Sequence, residues 1–239
     1  MTEYRTVLTK DLNKLRNDIL RLSSMIDEAI EKAMLALRTR DVSLATQVVQ
    51  GDTAVNELRY QIESDAMRIL ATQFPAATDL RAVLTGLHLS NELERIGDHA
   101  AGIARLVERM EEEEAVDSLH KLPKMSKRAR KMVQEGIRAY VNCDPEQAWT
   151  MIKRDDKIDK QYNKLVREAL EEMRDDSYIQ RATYLIWVGH NLERIGDRAT
   201  NIAERVIFMC TGEYIEIMPD LEEPPFIAQA ASSVTEEKT

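Results

Sequence analysis

The sequence predicts an all-α protein of two tandem antiparallel three-helix bundles, related by an internal pseudo-twofold repeat. Helix-breaking residues are scarce, with 8 Gly and 6 Pro among 239 residues, and 31% of the residues are charged, a composition that suits long helices better than a sheet. Apolar residues recur at three- and four-residue spacing, as in amphipathic helices. The hexapeptide LERIGD occurs twice, at 93–98 and 192–197. Such a match within one chain indicates an internal duplication.

Six helices are predicted, three in each half. They cover about residues 8–37, 42–72, 77–110, 126–142, 145–174 and 177–210. Asp41 and Asp144 stand at equivalent places before the second and the fifth helix and are predicted N-caps. Pro145, at the first helical position, strengthens the second of these starts. Gly212 is the predicted C-cap of the sixth helix. Because the connections are short, we expect each half to fold as an antiparallel bundle.

Helix-breaking and polar segments set the predicted boundaries. The Phe-Pro pair at 74–75 separates the second helix from the third. The acidic run at 111–114 and the Leu-Pro pair at 122–123 predict a linker between the halves. The end of the chain carries three prolines followed by Ser, Thr and Glu residues, and we expect it to be disordered. The predicted units are an N-terminal bundle at 1–115, a C-terminal bundle at 116–212 and a disordered tail at 213–239.

Composition also limits the function. The formal net charge is −9, which argues against nucleic acid as the main partner, because phosphate binding needs an excess of Lys and Arg. No apolar run approaches about 20 residues, so we expect no membrane insertion. The N-terminus lacks the apolar core of a signal peptide, so we expect a cytoplasmic protein. Cys143 and Cys210, near predicted helix ends, are interpreted as two free thiols without a role.

Each copy of the hexapeptide carries a Glu and an Asp four residues apart. On a helical wheel, Glu94 and Asp98 lie more than roughly 90° from the centre of the apolar stripe of their helix. In the second copy, Glu193, Asp197 and Glu204 form the equivalent polar stripe. A solvated helix face is the ordinary interpretation of such residues. Because drift of a surface would not be expected to keep the same letters after a duplication, we interpret them as functional.

The second helix of each half places an aspartate beside its apolar seam. Asp52 and Asp155 occupy equivalent positions, and Asp159 follows Asp155 by one turn. A carboxylate at such a position is costly unless it is paired or binds a ligand. A hydrogen-bonded or salt-bridged Asp, for example with Arg59, is an equally open alternative. Together these side chains form an all-oxygen set, which favours hard cations such as Mg²⁺, Mn²⁺, Ca²⁺ or ferric iron.

Residues 155–159 also spell D-D-x-x-D, which in helical enzymes is typical of Mg²⁺ bound to a diphosphate. The alternative function is therefore a Mg²⁺-dependent helical enzyme that acts on a diphosphate through Asp155, Asp156 and Asp159. The equivalent stretch at 52–56 carries no second aspartate-rich motif, and aromatic residues are only 5%, too few for a cavity that guides a carbocation. A purely structural bundle without metal is a third alternative.

Three features together resemble the PhoU family of phosphate-uptake regulators over about residues 8–212. They are the doubled hexapeptide, the Q-x-P-x-x-x-D-L-R string at 73–81 and the D-D-x-x-D stretch. The resemblance implies two three-helix bundles with pseudo-twofold symmetry. It also implies surface E(D)-x-x-x-D motifs that bind multinuclear clusters of iron, zinc, manganese or magnesium. These motifs map onto Glu94 and Asp98, Glu193 and Asp197, and Asp155 and Asp159.

The fourth motif departs from the family pattern, because Asp52 is followed by Asn56, and Arg105 stands where the other half has Glu204. We therefore expect the C-terminal half to bind metal better than the N-terminal half. The resemblance further implies negative regulation of phosphate uptake in bacteria by a dimeric, non-enzymatic adaptor. Its implied partners are the cytoplasmic ATPase of the phosphate ABC transporter and a sensor histidine kinase.

Overall fold

The computed structural model describes residues 2–110, 119, 121–153 and 156–215, with side chains from residue 5 onward. Over these residues the chain forms seven α-helices and no strand, which confirms the all-α prediction. The helices are α1 Thr2–Thr39, α2 Val42–Gln73, α3 Thr78–Arg109, α4 Leu122–Asn142, α5 Pro145–Ile152, α6 Asp156–Glu172 and α7 Ile179–Thr211. A short 3₁₀ turn at Asp176–Tyr178 leads into α7.

Helices α1 to α3 pack together as one bundle and α4 to α7 as a second. The apolar stripe predicted for α3 is buried and faces its own bundle, with every member at most 3% exposed: Leu93, Ile96, Ala100, Ile103, Ala104 and Val107. The bundles join chiefly where α3 packs against α7. Arg81 near the start of α3 donates to the carbonyl of Met209 near the end of α7. His99 meets Asn191 further along, so α3 and α7 run antiparallel.

The repeat is visible where the second helix of each bundle begins. Asp41 and Asp144 accept a hydrogen bond from the backbone N–H three residues on, at 2.9 Å and 2.8 Å, which confirms both predicted N-caps. The residues before them, Arg40 and Cys143, both adopt left-handed backbone angles, with φ of 56° and 47°. In both corners the aspartate N–H donates to the carbonyl five residues back at 3.0 Å. A shift of 103 residues, from 41 to 144, therefore relates the two corners.

Two predicted boundaries are wrong. The fifth helix is interrupted: α5 ends at Ile152 and α6 begins at Asp156. Asp156 and Asp159 stand in the first turn of α6, where carboxylates are favoured by the helix dipole and by the free N–H groups. The fourth helix starts at Leu122 rather than 126, because Pro123 fits the first turn, where its missing N–H is not needed. The pair at 122–123 therefore belongs to the helix and not to a linker.

The interpretation of the two cysteines as free thiols is also wrong. Cys143, at the C-cap of α4, and Cys210, in the last turn of α7, form a disulfide with their Cα atoms 5.6 Å apart. Both cysteines lie at the C-terminal ends of their helices, so α4 and α7 end on the same side of their bundle. The 67 residues that separate the two cysteines carry no local pattern that announces this pairing.

Some predictions fall where the structure gives no description. The acidic run at 111–114, Asp155 and the part of the predicted tail from 216 to 239 lie outside the described residues. Within the described part of the chain, no helix combines the length and the apolar character needed to cross a membrane.

Candidate metal centre

Three carboxylates converge in the C-terminal bundle. Asp159 on α6 and Glu193 and Asp197 on α7 each offer one oxygen, and these oxygens lie within 4.8 Å of one another. Glu193 and Asp197 stand one turn apart on α7, and the first turn of α6 brings Asp159 opposite them. Among the described residues this is the one group of three potential metal ligands at such spacing. All three are acidic oxygen donors, the type that hard cations prefer.

The electrostatics of this group favour a cation. Burial raises the pKa of Asp159, and the neighbouring charges of Asp197 and Asp156 raise it further. Burial and the charge of Glu193 also raise the pKa of Tyr162. The Oδ1 atom of Asp159 is buried, and none of the described residues donates a hydrogen bond to it, which is costly for a carboxylate oxygen. A divalent ion here would supply the missing partner and offset the repulsion between the carboxylates.

Two neighbouring side chains orient the group. Arg194 Nη1 donates to Asp197 Oδ2 at 2.8 Å, and His190 Nδ1 lies 3.4 Å from Glu193 Oε2. The contact with Arg194 uses one oxygen of Asp197, so this carboxylate keeps acceptor capacity. His190 stands where the other half has Asn91, and it was not among the predicted site residues. Its position three residues before Glu193, on the same helix face, is the signal that could have found it.

The N-terminal bundle carries the equivalent carboxylates in a looser arrangement. Burial raises the pKa of Asp52 and of Glu94, and the charge of Asp98 raises both further. The three carboxylates therefore sense one another across α2 and α3. Over the described residues, however, their oxygens do not come as close together as those of Asp159 and its two partners.

A neutral amide and a cation account for part of this difference. Asn56, which stands where the other half has Asp159, donates from Nδ2 to Asp52 Oδ2 at 3.2 Å. Arg105 stands where the other half has Glu204, and its positive charge opposes the rise in the pKa of Asp52. The N-terminal half thus offers a hydrogen-bond donor and a positive charge at places where the C-terminal half has carboxylates.

Gly97 lets α1 and α2 pack closely against α3 in the N-terminal bundle. A Cβ atom at Gly97 would lie 2.9 Å from Ile26 Cδ1, 3.4 Å from Val55 Cγ1 and 3.6 Å from Asp52 Oδ1. This Oδ1 atom is buried and has no hydrogen-bond partner within the described part of the chain. The glycine inside the repeated hexapeptide therefore serves close helix packing, and it brings one carboxylate oxygen of α2 against the backbone of α3.

Two further predicted residues point elsewhere. Glu204 lies near Arg205 and Glu92. Its pKa is raised, chiefly by burial; the charge of Arg205 opposes this rise and the charge of Glu92 adds to it. Glu204 therefore faces the seam between the bundles. The side chain of Asp156 is 80% exposed and pairs with Lys160 at 4.0 Å. Because Asp156 faces solvent while Asp159 joins the carboxylates of α7, the two diverge, contrary to the enclosed cavity that the diphosphate alternative requires.

Comparison with known proteins decides the family. The model of the PhoU domain matches the chain at residues 19–107 and again at 122–206. The chain belongs to the PhoU family. It is 33% identical over 215 residues to a protein of Clostridium acetobutylicum, covering 89% of this chain and 98% of the relative. It is 36% identical over 216 residues to a protein of Xylella fastidiosa, covering 89% of both. Both are named phosphate-specific transport system accessory protein PhoU homolog.

Solved PhoU structures share the fold. The crystal structure of the phosphate transport system regulatory protein PhoU from Streptococcus pneumoniae superposes with a TM-score of 0.82 at 30% identity, over 88% of this chain and 100% of that one. The crystal structure of PhoU from Pseudomonas aeruginosa gives a TM-score of 0.82 at 33% identity, over 86% and 99%. Membership of this family gives the chain a regulatory, non-enzymatic role in phosphate transport, as the sequence predicted.

Proposed function

We propose that this protein is a cytoplasmic, metal-binding adaptor that negatively regulates the phosphate ABC transporter and phosphate-starvation signalling. Its proposed partners are the transporter ATPase and a sensor histidine kinase, and its proposed working form is a homodimer. The names of its relatives support a role within a phosphate-specific transport system. The convergence of Asp159, Glu193 and Asp197 within 4.8 Å is the observation that carries the metal site.

The physical role of the metal follows from charge. Without a cation, the three carboxylates repel one another and any acidic surface that approaches them. With a bound cation of the iron, zinc, manganese or magnesium type, the same patch gains open coordination positions. A carboxylate or phosphate group of a partner can then complete the ligand set. The metal would thus convert a repelling patch into a docking point.

The remaining predicted ligands belong to this proposal with different weights. In the N-terminal half, Asp52, Glu94 and Asp98 form a weaker site, because the amide of Asn56 already occupies one oxygen of Asp52. Asp155 stays a predicted ligand of the C-terminal cluster, whereas Glu204, which lies near Arg205 and Glu92, is not counted among its ligands. We expect the C-terminal site to load first when metal is added to the metal-free protein.

The metal site is tested by titrating chelator-treated protein with Mn²⁺ in a calorimeter. Metal analysis of protein purified without chelator is the second measurement. Asp159→Asn and Asp197→Asn should each weaken binding at least about tenfold, since each removes one charged ligand. Asp156→Asn is the matched control: it removes a carboxylate from the same helix turn, but one that is 80% exposed and faces solvent. Equal affinity in all three variants and the wild type would contradict the proposed ligand set.

The adaptor role is tested separately by pull-down with the transporter ATPase and with the sensor kinase. We expect the double variant Glu193→Ala, Asp197→Ala to retain the helical fold, as measured by circular dichroism, and to lose capture of at least one partner. Light scattering on the same samples measures the proposed dimer. If the double variant captures both partners as the wild type does, the docking role of the metal patch is refuted.

A further inference from the structure

The two bundles close the same corner in different ways. In the N-terminal bundle, Arg40 Nη2 donates to the carbonyl of Met110 at 2.6 Å. This hydrogen bond ties the end of α1 to the end of α3. Under the shift of 103 residues, the counterpart of Arg40 is Cys143, which has the same left-handed backbone. Cys143 is bonded to Cys210, so a covalent bond ties the end of α4 to the end of α7.

The carbonyl equivalent to that of Met110 does not close the corner in the C-terminal bundle, because it accepts a hydrogen bond from the other bundle. Met209 is the counterpart of Met110 under the shift of 99 residues that relates the two hexapeptides. Its carbonyl accepts a hydrogen bond from Arg81 Nε of the other bundle at 3.1 Å. Arg81 also packs against Gly212, where a Cβ atom would lie 3.3 Å from Nη1. The last turn of α7 therefore holds the joint between the bundles on one side and the disulfide on the other.

The disulfide is open to exchange. Cys143 is exposed and Cys210 is partly exposed, and exposed disulfides are the labile ones. Disulfides in a reducing cytoplasm are usually transient and sense redox conditions. This expected physiological setting rests on the cytoplasmic location proposed above, whereas the exchange chemistry rests on the geometry alone.

We propose that Cys143 and Cys210 form a reversible thiol–disulfide exchange site that locks the end of α4 to the end of α7. The co-reactant is a small disulfide such as oxidised glutathione. The thiolate of one cysteine attacks it and releases one small thiol, and the second cysteine then displaces the other thiol from the mixed disulfide. Two electrons pass from the protein dithiol to the small disulfide, and the two thiol protons end on the two released thiols. An excess of reduced thiol reverses both steps.

The lock acts on the joint between the bundles. When it is closed, the last turn of α7 is held and the carbonyl of Met209 stays aimed at Arg81. When it is open, that turn is a helix end held by the cap at Gly212, and such ends open locally at low free-energy cost. The redox state of the cysteine pair thereby sets how firmly α7 is held against α3 at this end.

The test uses the purified full chain in buffers of graded reduced-to-oxidised glutathione ratio, quenched with acid and alkylated for intact-mass analysis. We expect the protein to pass between zero and two alkyl groups as one monomeric transition. The oxidised form should melt roughly 5–10 °C higher than the reduced form. Its amides at 205–212 should exchange more slowly with deuterium. Cys143→Ser and Cys210→Ser should each melt like the reduced wild type at every ratio.

Several outcomes would overturn the proposal. Full alkylation of both cysteines at the most oxidising ratio would show that no internal disulfide forms, and dimers on a non-reducing gel would show pairing between chains. Equal melting and exchange of the two redox forms would show that the bond locks nothing. Arg40→Ala is the matched control, because it removes the hydrogen bond that closes the equivalent N-terminal corner, and this loss does not depend on the glutathione ratio. Asp197→Asn, which removes a proposed metal ligand, should leave the redox transition unchanged, so failure of the metal site does not mask failure of the lock.

Discussion

Replacing Arg130 with Met should show how much one ion pair between the bundles contributes to the free energy of unfolding. Arg130 on α4 binds both carboxylate oxygens of Asp27 on α1, through Nε and Nη2 at 2.8 Å each. Nη2 also reaches Glu31 at 3.1 Å. The Arg130 and Asp27 side chains are only 24% and 27% exposed. The hydrogen bonds from Arg130 hold the pKa of Asp27 below its usual range, against the opposing effect of burial.

The size of the effect follows from this geometry. An exposed ion pair contributes about 0–1 kcal/mol, but a bidentate pair that is mostly shielded from water is stronger. In the variant, Asp27 keeps one hydrogen bond, from Gln134 Nε2 at 3.0 Å, and loses its charge partner. Leaving such a group undersatisfied costs about 1–3 kcal/mol. We therefore expect the free energy of unfolding to fall by about 2 kcal/mol, and the melting temperature by about 4–8 °C.

The assay is urea unfolding of the wild type, Arg130→Met and the control Lys131→Met, at pH 7 and at lower pH. Because the folded-state pKa of Asp27 is depressed, its contribution is complete above the unfolded value, 3.8, and is lost as pH falls through the folded value. The difference between wild type and Arg130→Met should therefore shrink as the pH falls below 3.8. Lys131 is 64% exposed and should cost little. Equal midpoints for both variants at pH 7 would refute the reasoning.

The ion pair between Asp27 and Arg130 also favours association of an N-terminal half with a C-terminal half over association of two like halves. Asp27 and Arg130 are counterparts under the shift of 103 residues, so the pair lies across the pseudo-twofold axis. Two N-terminal halves placed in the same way would bring Asp27 against Asp27, and two C-terminal halves would bring Arg130 against Arg130. Unlike halves attract and like halves repel. The exchange variant Asp27→Arg, Arg130→Asp should recover much of the stability that each single variant loses.

Three other outcomes are expected. Gly189→Ala should lower the free energy of unfolding by about 1–3 kcal/mol, because its Cβ would lie 2.4 Å from Leu165 Cδ2; unchanged urea midpoints would contradict this. Gly51→Ala, which meets nothing within 4 Å, should raise it by about 0.5–1 kcal/mol through helix propensity, again by urea unfolding. Asn56→Asp removes an amide donor to Asp52 and should tighten the second, weaker Mn²⁺-binding event in calorimetry; an unchanged affinity of that event would count against the N-terminal site.

Local features of the sequence predict most of the fold. The buried stripe of α3 and the caps at Asp41, Asp144 and Gly212 depend on residues within a few positions of one another, and the structure confirms them. The break between α5 and α6 escaped prediction because the equivalent stretch of α2 is one continuous helix. Apolar periodicity alone does not distinguish the two cases.

Long-range pairs are what the sequence could not supply. Cys143 and Cys210 are 67 residues apart, and Asp27 and Arg130 are 103 apart; neither pair follows a local spacing rule. Only part of the candidate metal centre could be predicted from the sequence. The repeated Glu and Asp of α7 stood out in the sequence, but their convergence with Asp159 depends on how α6 packs against α7.

The differences between the halves share one physical pattern. Caps and buried stripes, which a bundle needs in order to fold, are kept in both copies. The two copies differ where a side chain works with the other half or with the site. Asp27 faces its own counterpart Arg130, Asn56 stands in for Asp159, and Arg40 closes by hydrogen bond the corner that Cys143 closes covalently. An identical pair would repel at the axis and carry two equal sites. Divergence at these places gives one chain a preferred pairing of unlike halves, one stronger candidate cation site and one corner closed by a disulfide, all in the C-terminal half or at its joint.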